Sequence, residues 1–190
     1  MKNKTISILA SLFIVAASNA AVTVSIIANT GSGLYQDKLG SNLSDGSLLK
    51  YGFFDESSYS SLGAAAQSNF ASVDALFTQV EEVFASDGEY LSLSNSFSGL
   101  TQGNKFYTWV FNAADGASAT EWGIFSSSNS LWSVPADIGV ATLTTSVIDN
   151  LVVGGTSGSN YTLAAVPEPS AYAVLAGVLS LGYATVRRRR

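Results

Sequence analysis

Lys105-Phe106-Tyr107-Thr108-Trp109-Val110-Phe111-Asn112 is the most strand-like stretch of this 190-residue chain. From Phe106 to Phe111 every side chain is aromatic or β-branched, the types that fit a pleated, half-buried surface. Working outward, Glu121 to Ser126 and Ser130 to Val134 flank a Ser/Asn-rich turn and read as a hairpin. Upstream, Glu89 to Phe97 alternates, with Leu91 and Leu93 opposed to Ser92 and Ser94. Ser47 to Phe54 is a further strand, with Tyr51 and Phe53 on one face. Val22 to Ile27 is the first, punctuated by Asn29 to Gly33. Residues 140–153 and 159–165 supply late strands. Short apolar runs parted by polar turns predict a mainly β domain, an antiparallel sandwich over 21–165. Trp109, Trp122 and Trp132 are its core candidates, although aromatic stripes can also form a sugar-stacking platform.

One segment departs from this pattern. Phe70, Val73, Phe77, Val80 and Phe84 recur at helical spacing, with Leu76 and Val83 beside them. Ser68 or Asn69 can cap the start and Gly88 can stop it, so 70–85 is predicted as one short amphipathic helix, or as a helical turn followed by a linker. Its polar face carries Asp74, Glu81 and Glu82 and no cation, which argues for packing on a sheet rather than on a membrane.

Charge is segregated along the chain. Of the 14 acidic residues only Glu168 lies outside 21–166, and that segment holds just Lys38, Lys50 and Lys105. Such a body is a poor partner for nucleic acid, which needs clustered Lys and Arg. The acidity instead favours solubility. Cysteine is absent, which excludes disulfides and thiolate chemistry. Histidine is absent too, which removes the commonest general base and transition-metal ligand.

The two ends are apolar and basic. Lys2 and Lys4 open the chain, Ile6 to Ala17 is an apolar run, and Ser18-Asn19-Ala20 precedes Ala21 as a small-x-small cleavage pattern. Residues 1–20 therefore read as a signal-peptide helix cut between Ala20 and Ala21. A cut after Ala17 and a retained anchor are the alternatives. At the other end, Pro167-Glu168-Pro169 forms a stiff, extended linker. Ala171 to Val186 carries no charge and Arg187, Arg188, Arg189 and Arg190 follow. As a helix, 171–186 rises ~24 Å, short of the ~30 Å hydrocarbon core, and snorkelling arginines can cover the difference. Four arginines place that end on the cytoplasmic side.

Segment 166–190 resembles the PEP-CTERM sorting signal of bacterial surface proteins: the tripeptide, a short apolar helix and an arginine cluster, in that order. The resemblance covers only the tail. It implies recognition of Pro167, Glu168 and Pro169 by a membrane-embedded exosortase, with Arg187, Arg188, Arg189 and Arg190 as the retention signal. It also implies a destination at the cell surface or in the extracellular matrix, reached through transient inner-membrane anchoring, with exopolysaccharide as a candidate partner in biofilm.

Reactive constellations are sparse. Asp55-Glu56, Glu81-Glu82 and Asp87/Glu89 are the tight acidic clusters, and a glycosidase needs two carboxylates facing each other. A serine nucleophile would need Lys38, Lys50 or Lys105 as its base. Calcium is the one metal the composition leaves open, and no Asp-x-Asp-x-Asp-Gly loop is present. These residues predict a non-catalytic protein with no cofactor. A carbohydrate-active enzyme or glycan-binding module is the alternative.

Overall fold

The computed structural model describes residues 21–27, 33–86, 89–136 and 139–166, with Val178 and Ser180 beyond them. The expected signal segment 1–20, the motif Pro167–Pro169 and Arg187–Arg190 lie outside the described residues. Ala21 is described and exposed, directly ahead of the first strand. Of the expected helix 171–186 only Val178 and Ser180 are described, both helical. Among the described residues, no helix is long and apolar enough to cross a membrane.

The chain is mainly β. In order come β1 Val22–Ile27, β2 Tyr35–Gln36, β3 Leu48–Phe54, α1 Glu56–Ser61, α2 Ala64–Gln67, α3 Phe70–Asp74, β4 Phe77–Phe84 and β5 Leu91–Phe97. Then follow β6 Tyr107–Phe111, β7 Glu121–Ser126, a 3-10 turn Ser130–Trp132, β8 Val140–Thr144 and a second 3-10 turn Thr145–Val147. The last strands are β9 Asn150–Val153, β10 Gly155–Ser157, β11 Asn160–Thr162 and β12 Ala164–Ala165. The large sheet has the order β12-β7-β6-β3-β4, with β9 also paired to β7. A second sheet has the order β5-β1-β8, and a third the order β10-β11-β2.

The large sheet is antiparallel throughout, whereas the two three-stranded sheets are mixed, because β1–β8 and β2–β11 run parallel. Parallel neighbours need a long crossover. Here β3, β4, β6 and β7 of the large sheet all lie in sequence between the two members of each pair, so connection length sets no limit.

Alternation in β6 divides the interior in two. Phe106 and Val110 join an apolar cluster with Val22, Val24 and Ile26 of β1, Leu143 of β8, and Leu49 and Tyr51 of β3. Thr108 faces the same way and bonds the Tyr35 hydroxyl at 2.9 Å. Tyr107, Trp109 and Phe111 enter a second cluster with Phe54, Val73, Phe77 and Trp122, beneath the short helices. Strands β6 and β7 are thus buried along their full length. The aromatic run is covered on both faces, more than a half-buried surface requires. Trp109, Trp122 and Trp132 are all core residues, none more than 2% exposed.

Two expectations need correction. The predicted helix over 70–85 is helical only to Asp74, and Phe77–Phe84 is an edge strand paired with β3. The register runs Tyr51↔Glu81 and then Gly52↔Gln79, so Val80 is the extra residue of a bulge. A bulge flips the alternation. Phe77 before it points to the helix-side cluster, while Val80 and Val83 pack on the other. The three-residue apolar spacing therefore belongs to a strand that serves two cores. The single expected helix becomes three short ones, two of them capped: Asp55 accepts from Ser58 N and Asn69 from Ser72 N.

The predicted hairpin is also absent. Ser130–Trp132 is a 3-10 turn started by Asn129, whose side chain accepts from Leu131 N at 3.0 Å. Ser133 bridges Lys105 at the start of β6, and β7 pairs with β6, β9 and β12 instead.

Candidate functional site

A cleft of about 400 Å³ opens where β3 ends and β6 begins. Phe53, Phe54 and Leu76 give it apolar wall, and Asp55, Thr78, Asn104, Lys105 and Tyr107 give it polar groups. The local sequence explains the layout. The last two residues of β3 point to opposite faces of the sheet, and Asp55 then turns the chain into α1. Its carboxylate accepts from the Ser57 hydroxyl at 2.6 Å, the Ser58 hydroxyl at 2.7 Å and the Ser58 amide at 3.0 Å. These bonds hold its pKa down to about 2, the two hydroxyls first, so the cleft keeps an anion at any ordinary pH.

Glu56 turns away from the solvent side. It accepts from the Tyr107 hydroxyl and from Asn150 Nδ2. Burial, and then the bonded Glu56 charge, push the Tyr107 phenol well above its usual range. Lys105 is half-buried in the lining. Its charge adds to the pull of Ser128 in holding Asp149 low. The cleft thus offers one carboxylate, one ammonium, a side-chain amide and a threonine hydroxyl beside aromatic carbon. Hydroxyl-rich ligands with an apolar ring face suit that mixture.

The sequence-predicted acidic clusters do not converge on it. Asp55 is the one acid in its lining. Glu81 and Glu82 lie on an edge strand and point to opposite faces. Glu81 accepts from the Tyr51 hydroxyl and from Asn95 Nδ2, tying the β4 edge of the large sheet to the β5 edge of the β5-β1-β8 sheet, while Glu82 is exposed. Asp87 lies outside the described residues, and Glu89 bridges Ser86 through the backbone. Asp74 pairs with Lys50 at 3.1 Å, and Lys50 also sits over the rings of Phe70 and Trp109 at 5.5 and 5.6 Å. Buried Glu121 accepts from the Lys38 amide at 2.8 Å and from its ammonium at 3.4 Å. Two of the three body lysines are therefore held by carboxylates. Among the described residues, no three His, Cys, Asp or Glu group as a metal cage would require.

A smaller groove of about 180 Å³ lies at the other end of the helices, between Tyr59, Ala64, Gln67 and Ser68 on one side and Ala164, Ala165 and Val166 on the other. Among the described residues, no charged side chain lines it. Val166 N bonds Thr120 O at 2.8 Å, so the last residue before the proline motif is still tied to the residue that leads into β7.

The cleft is not visible in the sequence because Thr78 falls in the stretch expected to be helical, and Asn104 and Lys105 reach it only through strand pairing. One signal was visible: Asp55 with Ser57 and Ser58 is a helix-start pattern placed directly after an aromatic strand. No protein-family model, curated protein or solved structure matches this chain. The class is therefore set by what the residues display: a mainly β body with an open cleft of mixed polarity.

Proposed function

We propose that this is an exported, non-catalytic protein of the cell surface or extracellular matrix, sorted through its C-terminal tail. Signal peptidase removes residues 1–20, and the sandwich-like body is left between that segment and a membrane helix over 171–186. An exosortase reads Pro167, Glu168 and Pro169, and Arg187–Arg190 hold the tail on the cytoplasmic side until it is processed. The observation that carries this reading is the sequence order of stiff tripeptide, uncharged run and arginine cluster, beginning directly after Val166, whose amide bonds Thr120 O. The carboxylates support the non-catalytic part. Glu56, Asp74, Glu81 and Glu121 each serve a different structural bond, and none faces a second acid across the cleft.

The test is fractionation and intact mass of the wild-type protein and Glu168→Ala in cells that carry an exosortase. The wild type is expected at the surface without its arginines. The variant is expected in the inner membrane with Arg190 retained. The same compartment and the same mass for both would overturn the sorting role.

A second reading, glycan binding, is favoured by the lining of the larger cleft. An acidic body repels polyanions, so the ligand class is neutral saccharide. Titration with neutral tetrasaccharides is expected to shift NMR signals of the cleft, and Asn104→Ala with Lys105→Ala together should weaken binding at least about tenfold, the loss of one or two polar contacts. Unchanged affinity in the double variant would remove the cleft from consideration.

A further inference from the structure

The sheet leaves almost no free chain between body and tail. β12 is registered on β7, Ala164 against Trp122 and Ala165 against Glu121, and Val166 N adds its bond to Thr120 O. Four residues, 167–170, then separate the folded body from the uncharged run that starts at Ala171. Fully extended, four residues reach ~14 Å. The headgroup layer occupies ~5–7 Å of that on each side of the hydrocarbon. Since 171–186 is itself short for the hydrocarbon core, any shortfall draws the linker further in. A body tethered this closely has its exit edge at the membrane surface.

The surface around that edge fits such a position. On one flank lie α2 and its groove, lined among the described residues by no charged side chain. On the other flank, the turn after β2 is fixed to the same edge, because the Lys38 amide and ammonium both bond Glu121, the residue opposite Ala165. This turn presents Leu39, which at 82% is the most exposed large apolar side chain described. Beside it Lys38 is a half-exposed cation. The Asp37 carboxylate is turned into the loop, where it accepts from the amides of Leu39 and Ser41 at 2.9 and 2.8 Å. A protruding leucine is suited to the apolar side of the headgroup boundary, against which the aliphatic stem of the adjacent lysine also packs.

We propose that, while the tail is in the bilayer, the body rests on the lipid headgroups through the Leu39 turn and the α2–β12 edge. This inference rests on the membrane-tail reading above. The far side of the large sheet, edged by β4, then faces away, four strand spacings or ~19 Å from β12.

The chain has no cysteine, so single labels can be placed cleanly. Full-length protein carrying Leu39→Cys or Glu82→Cys, each with a fluorophore, would be reconstituted into vesicles whose lipids bear a headgroup nitroxide quencher. Both positions are exposed, so folding is not at issue. Strong quenching at position 39 with little at position 82 is the expected result. Equal quenching at both, in protein that floats with the vesicles, would overturn the docking while leaving the membrane tail standing. Failure of the wild-type chain to float would overturn the tail reading and the docking together.

Discussion

Replacing Gly52 with valine is expected to destabilise the body by about 3 kcal/mol or more, the range of a forced backbone displacement in a packed sheet. Gly52 sits in β3 between Tyr107 of β6 and Gln79 of β4, beside the Val80 bulge. A Cβ at this position would lie 2.1 Å from the Thr78 carbonyl oxygen and 3.0 Å from both the Thr78 carbonyl carbon and Val80 N. All three are backbone atoms, so no rotamer change relieves the clash and β4 has to move. With it would go the link from Tyr51 through Glu81 to Asn95, which joins the β4 edge of the large sheet to β5. Thermal unfolding should show a drop of roughly 6–12 °C for such a loss in a domain of this size. Gly63→Ala is the matched control. Nothing lies within 4 Å of its added Cβ, and a change within about 0.5 kcal/mol is expected. Equal melting of both variants would mean that β4 does not approach β3 as described.

That crowded glycine also explains what the sequence concealed. The apolar residues of 70–85 recur at helical intervals, and local reading has no means of seeing that β3 offers an unpaired edge to 77–84. Edge pairing satisfies backbone groups of β3, and the bulge at Val80 lets residues three apart face different cores. Tertiary context overrode periodicity there. Where no such conflict existed, the reading was sound. The aromatic run at 106–111 lies in the centre of the large sheet, and Val22–Ile27 is the first strand. Burial of both faces of β6 was not legible, because alternation looks the same whether one face or two are covered.

The cleft was legible only in part. Asp55 with its two serines marks a helix start. Asn104, Lys105 and Thr78 meet it through strand pairing between segments far apart in the chain. The scattering of the carboxylates had the same origin. Adjacent acids such as Glu81 and Glu82 were separated by the strand's period of two, which places neighbours on opposite faces.

Truncating Trp109 to alanine is expected to cost about 3–5 kcal/mol, the usual range for a fully buried indole. Its exposure is 0%. Its ring meets Phe111 at 4.7 Å, Phe70 at 5.3 Å, Phe77 at 5.5 Å and Trp122 at 5.6 Å between centroids. The short helices depend on this cluster. None exceeds six residues, Val73 is their only fully buried side chain, and isolated helices of that length do not persist in water. Hydrogen exchange should therefore accelerate across α1–α3 in Trp109→Ala before it does in β1 or β8. Phenylalanine separates packing from polarity. Among the described residues the Trp109 indole nitrogen has no acceptor, so Trp109→Phe forfeits volume alone, about 1–2 kcal/mol. Trp132, equally buried, donates to the Thr144 carbonyl at 3.3 Å, and Trp132→Phe should lose about 1 kcal/mol more by leaving that oxygen without its donor. Denaturant midpoints for the two phenylalanine variants decide the matter. If Trp109→Phe proved the more damaging, its nitrogen would have to hold a partner and the aromatic layer would not be a purely apolar clasp on the helices.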